Sequence, residues 1–338
     1  MRIPRLKPSG CSAVYHCVTR LVDHHPWLDA PALERLRLML WRQAAFSGVE
    51  IITYCLMSNH FHVLVRVPKE VRPSDPDLLR LVRNHYGPSH TLTQVLEAAM
   101  QSSGTLSADL RDRLHRRMGD VSVFMKELKQ RFSIYYNRTR RRRGTLWSER
   151  FTSLLVEDAP PALRTVASYI DLNPVRAGLV KDPARYRFCG YAEAEAGEAR
   201  AREGLLNAYV PYGELDAPYA DTGSPASWEI LGGEYRRSLL LQAGRAKRTG
   251  QASLDRGTIK EKLARGDALE PGEAMRLKIR YMTDGMVLGS KEYVEGVFRQ
   301  FRDRFGPKRR TGARALKALG LSLKHLAVMR ALRKRVIE

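Results

Sequence analysis

The stretch VEIITYCLMSNHFHVLVRV, residues 49–67, constrains the fold of this chain more than any other. Successive side chains of a strand point to opposite faces, so His60, His62, Leu64 and Arg66 share one face of its second half. Phe61, Val63, Val65 and Val67 share the other face, which is apolar without interruption and predicts contact with a core. Only Ser58 and Asn59 separate the two β-rich runs. That spacing predicts a tight hairpin between strands over residues 49–57 and 60–67.

Around this hairpin the pattern alternates between strand and helix. The run AVYHCVT predicts a strand over residues 14–19, and Leu33, Leu36, Leu40 and Ala44 predict a helix over 31–46. A helix over 121–137, a strand in RFTSLLVE and a helical PALRTVASYIDLNPVRAGLV follow. Residues 68–120 read as loops and amphipathic helix inserted between these elements. Short antiparallel connections among mixed elements predict an α+β domain. Beyond Tyr191 the chain becomes rich in small and charged residues, which places a boundary near 190. The expected organisation is a catalytic domain over 1–190 and a basic, mainly helical region over 191–338.

Charge narrows the partner. Lys and Arg number 58 against 36 acidic residues, a net +22, and such a field concentrates nucleic acid. Cys11, Cys17, Cys55 and Cys189 form no CxxC pair and no disulfide framework, which suits a reducing cytoplasm. No apolar run approaches membrane-spanning length, and MRIPRLKPSG lacks the apolar segment of a signal peptide. Neither GxGxxG nor GxxxxGK[ST] occurs, so no nucleotide cofactor is expected.

His60 and His62 project together from one strand face, an arrangement that presents two ligands to one metal ion. A pair of solvated or hydrogen-bonded histidines on the outer face of a sheet is the alternative. Tyr169 and Asn173 lie four apart on a helical stripe, beside a core stripe of Leu163, Val166, Ala167 and Ile170. A border tyrosine and a helix-terminal asparagine would give the same pattern.

Together these residues resemble the HUH single-strand DNA transposases, and most closely the REP-associated tyrosine transposases. The resemblance rests on His60-Phe61-His62 on a strand, the basic RRRRGTLWSERF segment, and YIDLNPVRAGLV, in that order. It covers residues 14–191 and implies a ferredoxin-like core, helices packed on an antiparallel sheet. It implies Tyr169 as nucleophile and His60, His62 and Asn173 as ligands of Mg²⁺ or Mn²⁺. The insertion over 68–120 and the long extension after the core depart from compact members of that family.

The function so implied is cutting and joining of single-stranded DNA at hairpin-forming palindromic repeats, through a 5′-phosphotyrosine. An unperturbed tyrosine is ionised in only about one molecule in a thousand at neutral pH, so it needs a polarised phosphate and fixed geometry. Tyr54, Tyr135 and Tyr136 are rival nucleophiles that lack an amide one turn later in a family-like segment. Arg138, Arg140, Arg141, Arg142 and Arg143 are expected to contact the DNA backbone, with Trp147 stacking on a base. The C-terminal KRRTGARALKALGLSLKHLAVMRALRKRVIE is expected to be a basic helix that binds DNA or packs on the core. Alternatives are a hairpin-binding protein that does not cut, a replication-initiator or relaxase-type nuclease, and a metal-dependent hydrolase. Monomer and homodimer both remain open.

Overall fold

The computed structural model describes residues 4–209, 225–244, 282–283, 285–316 and 325–330, with side chains omitted at 225–227 and 240–244. Its first unit runs β1 (Ala13–Arg20), α1 (Ala30–Ser47), β2 (Glu50–Leu56), β3 (His60–Val67), α5 (Val121–Thr139), β4 (Thr152–Val156). The strands stand in the order β2-β3-β1-β4, every neighbour antiparallel, and α1 packs on α5. This is the ferredoxin-like α+β core expected from the sequence. Asp29 caps α1 by accepting from Ala32 N, and Gly48, left-handed at φ 63°, ends it. The hairpin turn closes where Met57 N donates to His60 O.

Residues 74–115 form three helices, α2 (Asp75–Tyr86), α3 (Thr91–Ser103) and α4 (Ala108–His115). They carry an apolar cluster of their own, in which Leu78, Val82, Leu96 and Leu114 pack with Phe46 of α1. The inserted segment is thus more helical than its sequence pattern suggested.

Neither face of the four core strands is left to solvent. Phe61, Val63 and Val65 pack against α1 and α5, as the alternation required. On the opposite face lie α6 (Pro160–Asp171), α8 (Gly190–Glu195), α9 (Ala199–Leu206) and α10 (Pro225–Gly244), clustered with Val14, Leu64 and Leu154. α6 is buried on nearly every side, so its amphipathic pattern fades toward Tyr169. Gly204 lets α9 approach β2 so closely that a Cβ there would press on Ile51 O.

Residues beyond 190 also extend the sheet. β5 (Val287–Gly289) pairs parallel with β4, followed by β7 (Ala327–Met329) and β6 (Arg314–Ala315), with α11 (Lys291–Gln300) packed beside them. Where the basic C-terminal stretch is described, it forms strands rather than the expected helix. Leu288 and Val328 are apolar on the α6 side while Val287 and Met329 face the α5 side, so two buried faces reward extended structure. The remainder of that stretch, residues 317–324 and 331–338, lies outside the described residues. Among the described residues no helix is long and apolar enough to cross a membrane.

Phe61 is fully buried at the centre of its face. Phe61→Ala should cost about 3–5 kcal/mol in urea unfolding, whereas Ile134→Ala, at an exposed position of α5, should stay within about 0.5 kcal/mol.

Candidate functional site

The face of β3 that carries the two histidines meets α6 and the neighbouring face of β1. His60 and His62 have ring centroids 5.1 Å apart, and the His62 ring lies 6.0 Å from that of Tyr169. A third imidazole completes the group. His16, on β1, stacks on His62 at 5.1 Å and stands 6.0 Å from Tyr169. His16, His62 and Tyr169 are all buried, the last at 1% exposure, and His60 is half-buried.

Hydrogen bonds orient the pair. Asn59 Nδ2 donates to His24 O at 3.0 Å, which turns its Oδ1 toward His60 Nδ1 at 2.6 Å. An amide oxygen only accepts, so His60 Nδ1 carries the proton. His62 Nδ1 meets His16 Nε2 at 2.9 Å. Burial holds both His62 and His16 below the ordinary imidazole range, His16 down to about 4. Proximity to His60, to His16 and to the Arg176 guanidinium pushes His62 the same way.

At the end of α6 the chain breaks briefly before α7 (Asn173–Arg176), because Pro174 has no N–H to donate. Two side chains satisfy the carbonyls left over. Asn173 Nδ2 donates to Tyr169 O at 3.2 Å and Ile170 O at 3.1 Å, and Arg176 Nη2 donates to Tyr169 O at 2.8 Å. The Arg176 guanidinium, half-buried, also lies 3.9 Å over the Tyr169 ring, a cation against the phenol. The structure therefore gathers His62 with His60 and Tyr169, while the Asn173 amide turns back onto the carbonyls of the tyrosine helix.

Asp171, at the end of α6, belongs to a second polar knot. It accepts from Thr53 Oγ1 at 2.8 Å and from Tyr235 Oη, on α10, at 2.6 Å. Full burial nevertheless raises its carboxyl to about 7.

The arginine run lies on a cleft of its own, lined by Trp27, Asp29, Tyr136, Arg140, Arg141 and Arg142. Arg142 covers the Trp27 ring at 4.4 Å, Arg140 pairs with Asp29, and Arg138 and Arg143 are exposed. Leu28 N bonds Ser58 O, which ties this cleft to the turn just before His60. Trp147 is a correction. It is buried, with its ring against Phe61 and Phe132 and its Nε1 donating to Lys129 O, so it offers no face to a base. Of the rival tyrosines, Tyr54 lies in the core on the opposite face of the sheet and Tyr136 donates to Trp27 O.

Sequence reasoning missed His16, Arg176 and Trp27. A signal existed for the first two. His16 interrupts an apolar strand face between Val14 and Val18, and Arg176 follows Tyr169 by seven residues, two helical turns.

An α+β sheet whose strand offers a histidine pair to a helix-borne tyrosine matches the class expected from the sequence. Residues 11–76, which span β1 to β3, match the family model described as IS200-like transposase, and this bears out the resemblance there. No curated protein sequence matches the chain. Among solved structures it is similar to a REP-associated tyrosine transposase bound to a REP hairpin, at 15% identity and a TM-score of 0.38. That match covers 58% of this chain and 86% of the other.

Among the described residues no three His, Cys, Asp or Glu side chains are arranged to hold a metal ion. Each ring of the pair has its Nδ1 engaged by a neighbour, so a cation, were one held there, would meet Nε2.

An unfolded aspartate titrates at about 4. Asp171 keeps its proton to about 7 in the fold, so between those values the native state binds the extra proton and is weakened as pH rises. Asp171→Asn should therefore gain stability relative to wild type between about pH 4 and pH 7. Urea midpoints at both ends of that window check this, and an equal difference at the two would contradict it.

Proposed function

We propose that this protein is a single-strand DNA endonuclease and strand transferase of the tyrosine transposase kind, acting on hairpin-forming repeats. The observation that carries the reading is the meeting of His60 and His62 with Tyr169, from elements about a hundred residues apart, on one face of the sheet. The family match over residues 11–76 supports it, and the +22 charge suits a polyanionic substrate.

The Tyr169 oxygen would attack the scissile phosphorus. As that bond forms, the bond from phosphorus to the 3′ oxygen breaks, and the phenolic proton ends on the released 3′-hydroxyl. The 5′-phosphotyrosine so formed keeps the phosphodiester energy, so a later 3′-hydroxyl reverses the step without a nucleotide cofactor. His60 and His62, with the Asn173 amide oxygen, would hold Mg²⁺ or Mn²⁺, which as a Lewis acid stabilises charge on the phosphate oxygens. Arg176 keeps a positive charge against the tyrosine ring. Arg141 and Arg142, beside Trp27, offer phosphate contacts at the cleft next to the histidine turn.

A second reading is favoured by one observation. Tyr169 at 1% and His62 at 2% exposure are closed to a phosphate unless the site opens, as would suit a protein that binds hairpins without cutting them.

Incubation with a labelled single-stranded hairpin oligonucleotide and Mn²⁺, followed by a denaturing gel, separates the two. The expected result is a slow-migrating protein–DNA adduct that needs metal and is absent in Tyr169→Phe. Cleavage that survives Tyr169→Phe would point to a hydrolase, and binding without adduct would favour the second reading. In the same system Arg141→Ala/Arg142→Ala should weaken binding. It should also flatten the dependence of log K on log salt by about 0.7 for each single-strand phosphate that the two arginines neutralise.

A further inference from the structure

His16 is the one imidazole of the cluster that the proposed chemistry leaves unused. It is fully buried on β1, where its strand neighbours on the same face, Val14 and Val18, are apolar. A histidine there is costly unless its polar atoms are bonded. Both are. Nδ1 lies 2.6 Å from Met282 O, and Nε2 lies 2.9 Å from His62 Nδ1.

The direction of these bonds follows from the far end. A backbone carbonyl only accepts, so the proton between them sits on His16 Nδ1. A neutral ring then has its lone pair on Nε2, and the proton in the second bond belongs to His62 Nδ1. The lone pair of His62 is thereby assigned to Nε2. With both its own nitrogens committed, His16 is not a third ligand.

We propose that His16 is a positioning residue for His62: anchored on the Met282 carbonyl, it locks His62 in the tautomer and ring orientation that leaves Nε2 to bind a divalent cation. The inference rests on the reading of His62 as a ligand and adds a dependence that reading does not contain. Met282 lies 266 residues from His16, in the segment that leads to β5, so the region after residue 190 takes part in setting the ligand. Hydrogen-bond partners of ligating histidines fix tautomer and basicity, and their removal costs metal affinity about 10–100-fold.

Two measurements on the full chain test this. Long-range ¹H–¹⁵N spectra of protein labelled at histidine, with His62→Gln used for assignment, should show metal-free His62 protonated at Nδ1 in wild type. His62 protonated at Nε2 would overturn the proposal, whether or not any variant folds. Mn²⁺ titration followed by electron paramagnetic resonance should show affinity reduced about 10–100-fold in His16→Phe. His16→Gln keeps one donor and one acceptor on a flat group and should recover part of that affinity. Wild-type affinity in a folded His16→Phe would overturn the proposal. Failure of the underlying reading looks different: wild type itself would bind no Mn²⁺, or His60→Ala and His62→Ala would bind it undiminished.

Discussion

The pairing of β1 with β3 holds this molecule together. Eight residues of each strand match in continuous antiparallel register, from Ala13 opposite Val67 to Arg20 opposite His60. β2 and β4 attach on either side, and the later strands build outward from β4. Because the two strands are central, both their faces are covered, and any polar side chain on them must find its partners inside the protein. His16, His62 and Arg66 obey that demand, whereas the Thr19 hydroxyl is buried without a hydrogen-bond partner among the described residues. Arg66 does so by a bidentate bond to Asp158, with Glu50 on its remaining nitrogen.

The candidate site follows from this burial. Two adjacent strands place His16 and His62 side by side, and α6 closes over them with Tyr169. The end of α6 then needs donors for its last carbonyls, since Pro174 supplies none, and Asn173 and Arg176 provide them. Helix termination and the orientation of the tyrosine are thus one arrangement. The guanidinium that completes the helix end is the same one that lies on the phenol.

The region after residue 190 is bound into this arrangement by hydrogen bonds. Tyr235 of α10 donates to Asp171, two residues from the tyrosine, and Met282 O accepts from His16. β5 and β7 continue the sheet beyond β4 and share its two apolar layers.

What the sequence determined by itself was local and periodic. The alternation in HFHVLVRV yields the strand, its apolar face and the common direction of His60 and His62, because those depend only on backbone geometry. The helical spacing around Leu36 and around Val166 likewise marks the two kinds of helix that cover the sheet, and the order of motifs carried the family resemblance. Tertiary structure alone decided that the histidine face is buried, because α6 and its neighbours return to cover it. It also decided that Trp147 is core, since Phe61 and Phe132 close on it from two distant elements. The partnership of His16 with Met282 spans 266 residues, and the strands near the C-terminus gain their reason to be extended only from the edge of β4. Periodicity reports which side of an element is apolar; which element arrives on the other side is set by packing across the whole chain.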